Sequence, residues 1–390
     1  MFRLHAPSYG EAPGVFLSSH QRKVLRALVQ CRTAALGGHA DECDSCSYPR
    51  LSYNSCGNRH CPKCQSLARA RWLQARKSEL LPVEYFHVVF TLPATVAAVA
   101  LQNPTAVYNI LFQSVGQTLK LIAADPKHLG AEIGHLAVLH TWGQNLSHHP
   151  HIHCVVPGGG LSPDGSRWVS TRKGFFLPVR VLSRLFRGIF LHSLKKAFAA
   201  GDLDFFGEQT HLAEPGAFSN WISSHKKADW VVYSKRPFAG PEQVLEYLGR
   251  YTHRVAISNQ RLQNVSDTEV AFRWKDYRND EHKTMTLEPQ EFIRRFLQHV
   301  LPPGLVRIRY GGFLANKHRR AKLAKCRKLL NIPAPTVEAV DWKTLFEQLT
   351  GRPIDICPCC NKGRMICVKI LTKKPLPLWR RSGPARLDSS

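Results

Sequence analysis

Six cysteines and two histidines fall within residues 31–64: Cys31, His39, Cys43, Cys46, Cys56, His60, Cys61 and Cys64. Thiolates and neutral imidazoles are the usual ligands of zinc. Cys43-x2-Cys46 and Cys61-x2-Cys64 each put two sulfurs on one tight turn, and two such turns can close a tetrahedron. The spacing predicts a structural zinc on Cys43, Cys46, Cys61 and Cys64, with the four sulfurs within ~4 Å of one another. Cys31, His39, Cys56 and His60 would suffice for a second zinc; otherwise Cys31 is a buried helix residue and His60 a polar contact. Cys357-x2-Cys360 offers half a site without a clear partner, which Cys359 or Cys367 could supplement. Cys154 and Cys326 read as ordinary packed or exposed thiols.

Residues 148–156 read His-His-Pro-His-Ile-His-Cys-Val-Val. Side chains alternate faces along a strand, so His151 and His153 project together while Ile152 and Cys154 point away. Two imidazoles so placed can chelate a divalent cation; the bland alternative is a solvent-facing pair on a half-buried sheet. Further on, Tyr247 and Tyr251 stand four apart in EYLGRYTHR and share a helix face. A phenol can attack a phosphodiester and become a phosphotyrosine. Its pKa near 10 leaves little phenolate at neutral pH, so the phosphate must be polarised, as a histidine-bound Mg²⁺ or Mn²⁺ would do. Alternatively both tyrosines extend an apolar stripe with Val244 and Leu248.

The elements that must hold these groups can be read from the 390 residues around them. Hydrophobic residues make up 44% and charged residues 21%, a globular balance that excludes a disordered or fibrous chain. The length suggests two or three domains. Lys and Arg total 54 against 28 acids, a net +26 that favours an anionic polymer, either nucleic acid or an acidic membrane surface. Residues 292–337 carry eleven Lys or Arg and no acid, and 361–387 carry eight more, again without an acid. The most apolar stretch, 85–101, is broken by His87 and Pro93, so no membrane span is expected. The first residues lack a signal-peptide core. A reducing, cytosolic setting is therefore expected, in which cysteines read as metal ligands before disulfides.

Periodicity predicts helices near 15–35, 65–80, 106–124, 180–199, 241–254, 289–300 and 315–330. Strands are expected near 85–92, 136–142, 151–156, 229–234, 255–258, 269–275 and 283–287. This order suggests an α+β fold, an antiparallel sheet with helices on one face. The expected division is a zinc-binding region over 1–80, a catalytic domain over 81–300 with an insertion near 161–220, and a basic region over 301–390.

CRTAALGGHADECDSC, YNSCGNRHCPKCQ, HHPHIHCVVPGGG and YLGRYTHR, in this order, resemble the rolling-circle transposases of the insertion sequence 91 family. These belong to the HUH (His-hydrophobic-His) single-strand endonucleases, and the likeness spans about residues 15–330. The resemblance implies an N-terminal zinc domain, an RRM-like, ferredoxin-like HUH catalytic domain and a divalent metal. It implies that His151 and His153 bind Mg²⁺ or Mn²⁺ and that Tyr247 and Tyr251 are the nucleophiles. HUH enzymes usually have a third ligand, for which His149 and Gln144 are the candidates. The expected partner is single-stranded DNA at transposon ends and target, with no membrane, a homo-oligomer as one arrangement, and the bacterial nucleoid as the place of action. Two alternatives stand beside this: a rolling-circle replication initiator, and a non-catalytic zinc DNA-binding protein whose His and Tyr pairs only pack.

Overall fold

The computed structural model describes residues 1–235, 243, 245, 246, 249, 252, 255–276, 279–334 and 340–374. The chain opens with helices α1 (Phe2–Glu11) and α2 (Ser19–Gln30), the hairpin β1 (Gly38–Cys43) and β2 (Pro49–Tyr53), and helix α3 (Gln65–Lys77). Then come β3 (Tyr85–Thr91), α4 (Ala94–Gln102), α5 (Pro104–Ala124), β4 (Glu132–Trp142) and β5 (His148–Pro157). Short strands β6 (Gly159–Leu161) and β7 (Trp168–Ser170) lead into α6 (Val179–Ala199), α7 (Pro215–Lys227) and β8 (Val232–Lys235). The remainder comprises β9 (Leu262–Val265), β10 (Val270–Asp276), β11 (Glu281–Leu287), α8 (Pro289–Leu297), β12 (Ile308–Gly312), α9 (Arg319–Leu329), α10 (Trp342–Thr350) and β13 (Met365–Leu371).

A seven-stranded sheet runs β7-β6-β4-β5-β3-β8, with β12 also paired to β4, and every pairing is antiparallel. Its alternation decides its two faces. Val88, Phe90, Leu139, Ile152, Cys154 and Val156 point to one side and are buried beneath α4, α5, α6 and α7. The expected α+β architecture built on an antiparallel sheet is what the chain forms, with α4–α7 on one face and α3 packed on the other. Within the stretch expected as an insertion, Phe186, Phe190 and Leu194 of α6 are fully buried in this core. A large aromatic so placed is worth about 3–5 kcal/mol against alanine.

A second core joins the start of the chain to residues 255–297. Val24, Leu25, Leu28 and Val29 of α2 form its helical stripe and meet Phe272 of β10 and Phe292, Ile293 and Phe296 of α8. α2 starts where Ser18 and Gln21 bond reciprocally to each other's backbone, a capping box worth about 1 kcal/mol. Residues 255–258, expected as a strand, form none. Val255, Ala256 and Ile257 are buried here instead, and Ala256 adopts φ 58°, which breaks an extended run. Leu146, at the turn between β4 and β5, also enters this core and so ties it to the central sheet. The third unit is a small sheet, β13-β1-β2, in which a strand from the far end of the chain pairs with the first hairpin. Among the described residues no helix is long and apolar enough to cross a membrane.

Candidate metal centres

The face of the central sheet opposite the main core carries the histidines. β4 and β5 pair with His140 opposite His151 and Val138 opposite His153. His140, His151 and His153 therefore share that face, and one ring nitrogen from each lies within 4.8 Å of the others. Ring centroids are 4.3 Å apart for His140 and His153 and 4.8 Å for His151 and His153. The register shifts between His140 and Trp142, a bulge that places Pro150 in a central strand. Proline has no N–H for the ladder, so such a strand tolerates it at a bulge, and bulges re-aim nearby side chains.

Each ring is held by its surroundings. His151 Nδ1 lies 2.6 Å from the His149 carbonyl oxygen, and His153 Nδ1 lies 2.7 Å from Nε2 of His87 on β3. Those bonds use Nδ1, so Nε2 is the nitrogen that would face a cation. His140 stacks on Trp142 with centroids 4.8 Å apart. Burial keeps all three imidazoles below the usual histidine range, with His151 at about 4 and His140 and His153 well below 6.5. They are neutral at physiological pH, the form that donates a lone pair. Three convergent neutral imidazoles fit a divalent metal.

His140 is thus the third member of the set, in place of His149 and Gln144. His149 is exposed, and its contribution is the carbonyl that orients His151. Gln144 accepts a hydrogen bond from Arg261 through its backbone oxygen. With Leu136 and Val138, His140 alternates on one face of β4, and the register across the hairpin sets it opposite His151.

Tyr247 and Tyr251 lie outside the described residues. Five residues of the same segment are described. Gln243, Leu245, Glu246, Gly249 and Thr252 are helical. Leu245 is buried against Tyr85, Leu136, Val138 and Val155, side chains of the same sheet face that bears the histidines. A Cβ on Gly249 would come within 2.6 Å of Leu73 on α3, so glycine there permits close packing of the segment on that helix.

The cysteines assemble differently from the expected set. Cys43, Cys46, Cys61 and Cys64 do not meet; they divide between two clusters. Cys61 and Cys64 join Cys31 and Cys56, with sulfur separations of 3.3 Å for Cys31–Cys64, 3.5 Å for Cys31–Cys61 and 3.6 Å for Cys56–Cys64. Cys43 and Cys46 join Cys357 and Cys360, at 3.7 Å for both Cys43–Cys360 and Cys46–Cys357. The reason is the β1–β2 hairpin. Cys31 and Cys56 flank its base, whereas Cys43 and Cys46 sit at its tip, a strand length of roughly 17–20 Å away. The proposed second set of Cys31, His39, Cys56 and His60 also separates. His39 Nε2 lies 3.5 Å from the Asp41 carboxylate. His60 is buried, bonds Asn58 through Nδ1 and accepts from the Leu301 N–H through Nε2.

Residues 1–92 match the family profile described as "Transposase zinc-binding domain", and residues 134–322 match the one described as "Putative transposase". A protein of Sinorhizobium fredii (strain NBRC 101917 / NGR234) named "Putative transposase y4qJ" is 58% identical over 375 residues, which is 95% of this chain and 94% of that one. The "Transposase for insertion sequence element IS801" of Pseudomonas savastanoi pv. phaseolicola is 28% identical over 319 residues, 80% of this chain and 75% of its own. Two solved structures of the conjugative relaxase TrwC with DNA align with 43% of this chain and 71% of theirs, at 16% and 15% identity and TM-scores of 0.24 and 0.23. The sequence matches define a class, a transposase with an N-terminal zinc-binding domain. The chain belongs to the insertion sequence 91 family of transposases.

Proposed function

We propose that the chain transposes its element by nicking and rejoining single-stranded DNA with a tyrosine nucleophile. The observation that carries this reading is the cluster of His140, His151 and His153 on the sheet face against which Leu245, two residues before Tyr247, is packed. The phenol oxygen of Tyr247 or Tyr251 attacks the scissile phosphorus and loses its proton. The bond from phosphorus to the 3′ oxygen breaks. One strand is left as a 5′-phosphotyrosine and the other with a free 3′-OH. The ester bond is conserved in energy, so attack by a 3′-OH reverses the step and joins strands without a nucleotide cofactor. With two tyrosines, one can hold the first end while the other opens the target.

His140, His151 and His153 would hold a divalent cation, which supplies Lewis-acid polarisation of the phosphate. Imidazole donors suit first-row transition ions better than Mg²⁺, which prefers oxygen ligands; Mn²⁺ stands lowest in affinity among those ions. His87 and the His149 carbonyl fix the two β5 rings and so keep the donor nitrogens convergent. The net charge of +26 supplies phosphate attraction over the whole molecule.

The test is covalent trapping. The protein is incubated with single-stranded oligonucleotides from the element's ends and either cation, and adducts are resolved under denaturing conditions. A phosphotyrosine adduct that needs the metal, is absent from the Tyr247→Phe/Tyr251→Phe double variant and is absent from His151→Ala is expected. An adduct that persists in the double variant would move the nucleophile elsewhere, with Tyr233 on β8 the first to examine. DNA binding that survives all three changes while no variant or wild type ever cleaves would leave a binding protein without this chemistry.

A further inference from the structure

We propose that Cys43, Cys46, Cys357 and Cys360 hold a structural zinc ion that fastens the C-terminal strand to the N-terminal hairpin. The site lies apart from the Cys31 cluster and from the histidine centre. Half of its ligands fall beyond residues 1–92, the reach of the zinc-binding family profile.

The four sulfurs already stand at the right spacing. Tetrahedral Zn–S bonds of ~2.3 Å set the ligand sulfurs about 3.8 Å apart. The observed separations across the two pairs are 3.7 Å. Each Cys-x2-Cys turn is built in the same way. The first sulfur of each pair accepts a backbone N–H two residues on, Ser45 to Cys43 and Cys359 to Cys357, both at 3.4 Å. The residue just after each pair, Ser47 or Asn361, takes a left-handed backbone with φ 55° and 54°. Two non-glycine residues in that region, at matching places, indicate two equivalent turns that face one ligand. Cys43 and Cys357 are buried, but packing does not account for the whole set, because Cys46 is exposed and Cys360 half-exposed.

The backbone between the turns is fitted just as closely. A Cβ on Gly363 would fall 2.5 Å from the Cys43 sulfur and 2.6 Å from Asp44 Oδ1. Glycine is therefore the residue this approach admits, and its N–H reaches the Cys360 sulfur at 3.3 Å. Asp44 and Arg364 exchange backbone and side-chain bonds across the same gap, at 3.1 and 2.8 Å. From this anchor β13 runs antiparallel along β1, Cys43 opposite Met365 through Gly38 opposite Leu371. Zinc binding displaces the thiol protons and converts the four sulfurs to thiolates, leaving a closed site with no position for a substrate.

The experiment uses the full chain purified under reducing conditions with zinc. Native protein is treated with iodoacetamide and each cysteine's alkylation is read by mass spectrometry, before and after chelation. Cys359 and Cys367 are exposed and should label at once. Exposed Cys46, with Cys360, should resist labelling by at least tenfold until chelator is added, and then label together. Cys46 that labels as fast as Cys359 in zinc-loaded protein overturns the proposal. Metal analysis supplies the second reading. Cys357→Ser/Cys360→Ser should lose one zinc equivalent per chain, and adding Cys43→Ser/Cys46→Ser should lose no more. Unchanged zinc in the first variant, or a further loss in the second, also overturns it. If the variants are insoluble, the alkylation pattern of the wild-type protein decides alone.

Discussion

The histidine centre and the paired-cysteine site of the C-terminal strand are assembled over opposite distances along the chain. His140, His151 and His153 come from one hairpin, and the strand pitch and a single bulge suffice to aim them. Cys46 and Cys357 are separated by 311 residues. Closing a loop of that length costs roughly 3 kcal/mol more than closing a hairpin. A hairpin site can therefore hold its ring nitrogens in place before any cation arrives, which suits the catalytic centre proposed above. A long-range site needs strong ligation and strand pairing to hold it, which suits a closed structural role.

If the cysteine sets are structural, the largest effect should come from the cluster at the second core. Cys61→Ser removes a ligand from Cys31, Cys56 and Cys64, and structural zinc can supply about 10–16 kcal/mol. The variant should lose one zinc equivalent and its cooperative thermal transition, seen by calorimetry; an unchanged transition would make this cluster dispensable. If the histidine centre is a preformed catalytic platform, His151→Ala should lower adduct formation by roughly 10³, several kcal/mol of phosphate polarisation, with zinc content unchanged. His140→Gln should behave alike in single-turnover assays, and normal cleavage there would reduce the set to two ligands.

A smaller effect is expected one layer out. His87→Ala removes the partner of His153 Nδ1 and should weaken Mn²⁺ affinity by roughly 10–100-fold while high Mn²⁺ restores cleavage. A loss that no metal concentration rescues would show that His87 acts otherwise. The smallest effect concerns pH. His299 is fully buried between Thr141 and the Leu146 carbonyl, and burial holds it at about 3. Unfolded histidine titrates near ~6.5, so between those values the unfolded chain binds more protons. Its contribution is complete above ~6.5 and is lost as pH falls toward 3, about 2 kcal/mol by pH 5. His299→Gln should therefore show a shallower drop in melting temperature from pH 7 to 5 than wild type; equal slopes would assign the acid sensitivity to other groups.

What could be read from sequence follows the same contrast. The alternation of His-Ile-His-Cys-Val in β5 is a property of neighbouring residues, so Ile152 and Cys154 in the core and His151 and His153 opposite were legible. His140 was not, because its place depends on the register across the turn, and that register is set by the bulge at Pro150. The Cys-x2-Cys spacing marks tight turns that bring two sulfurs together, but each turn meets partners other than the nearest pair. Nothing local says that a hairpin tip lies a strand length from its base, or that β13 returns to it. Within 161–220 the basic residues of α6 obscure the stripe of Phe186, Phe190 and Leu194 that carries this helix into the core.

The pairing of β13 with β1 has a consequence for synthesis. A ribosome adds ~5–20 residues each second, so the partner of the first hairpin emerges roughly 15–60 s after the hairpin itself. Until then the β1 edge and the thiols of Cys43 and Cys46 stand open to solvent, chaperones and other nascent chains. A message cut short before codon 357 yields a chain that carries every histidine of the β4–β5 hairpin and lacks the strand that covers that edge. The first hairpin therefore gains its last strand only after more than 300 further residues have been joined.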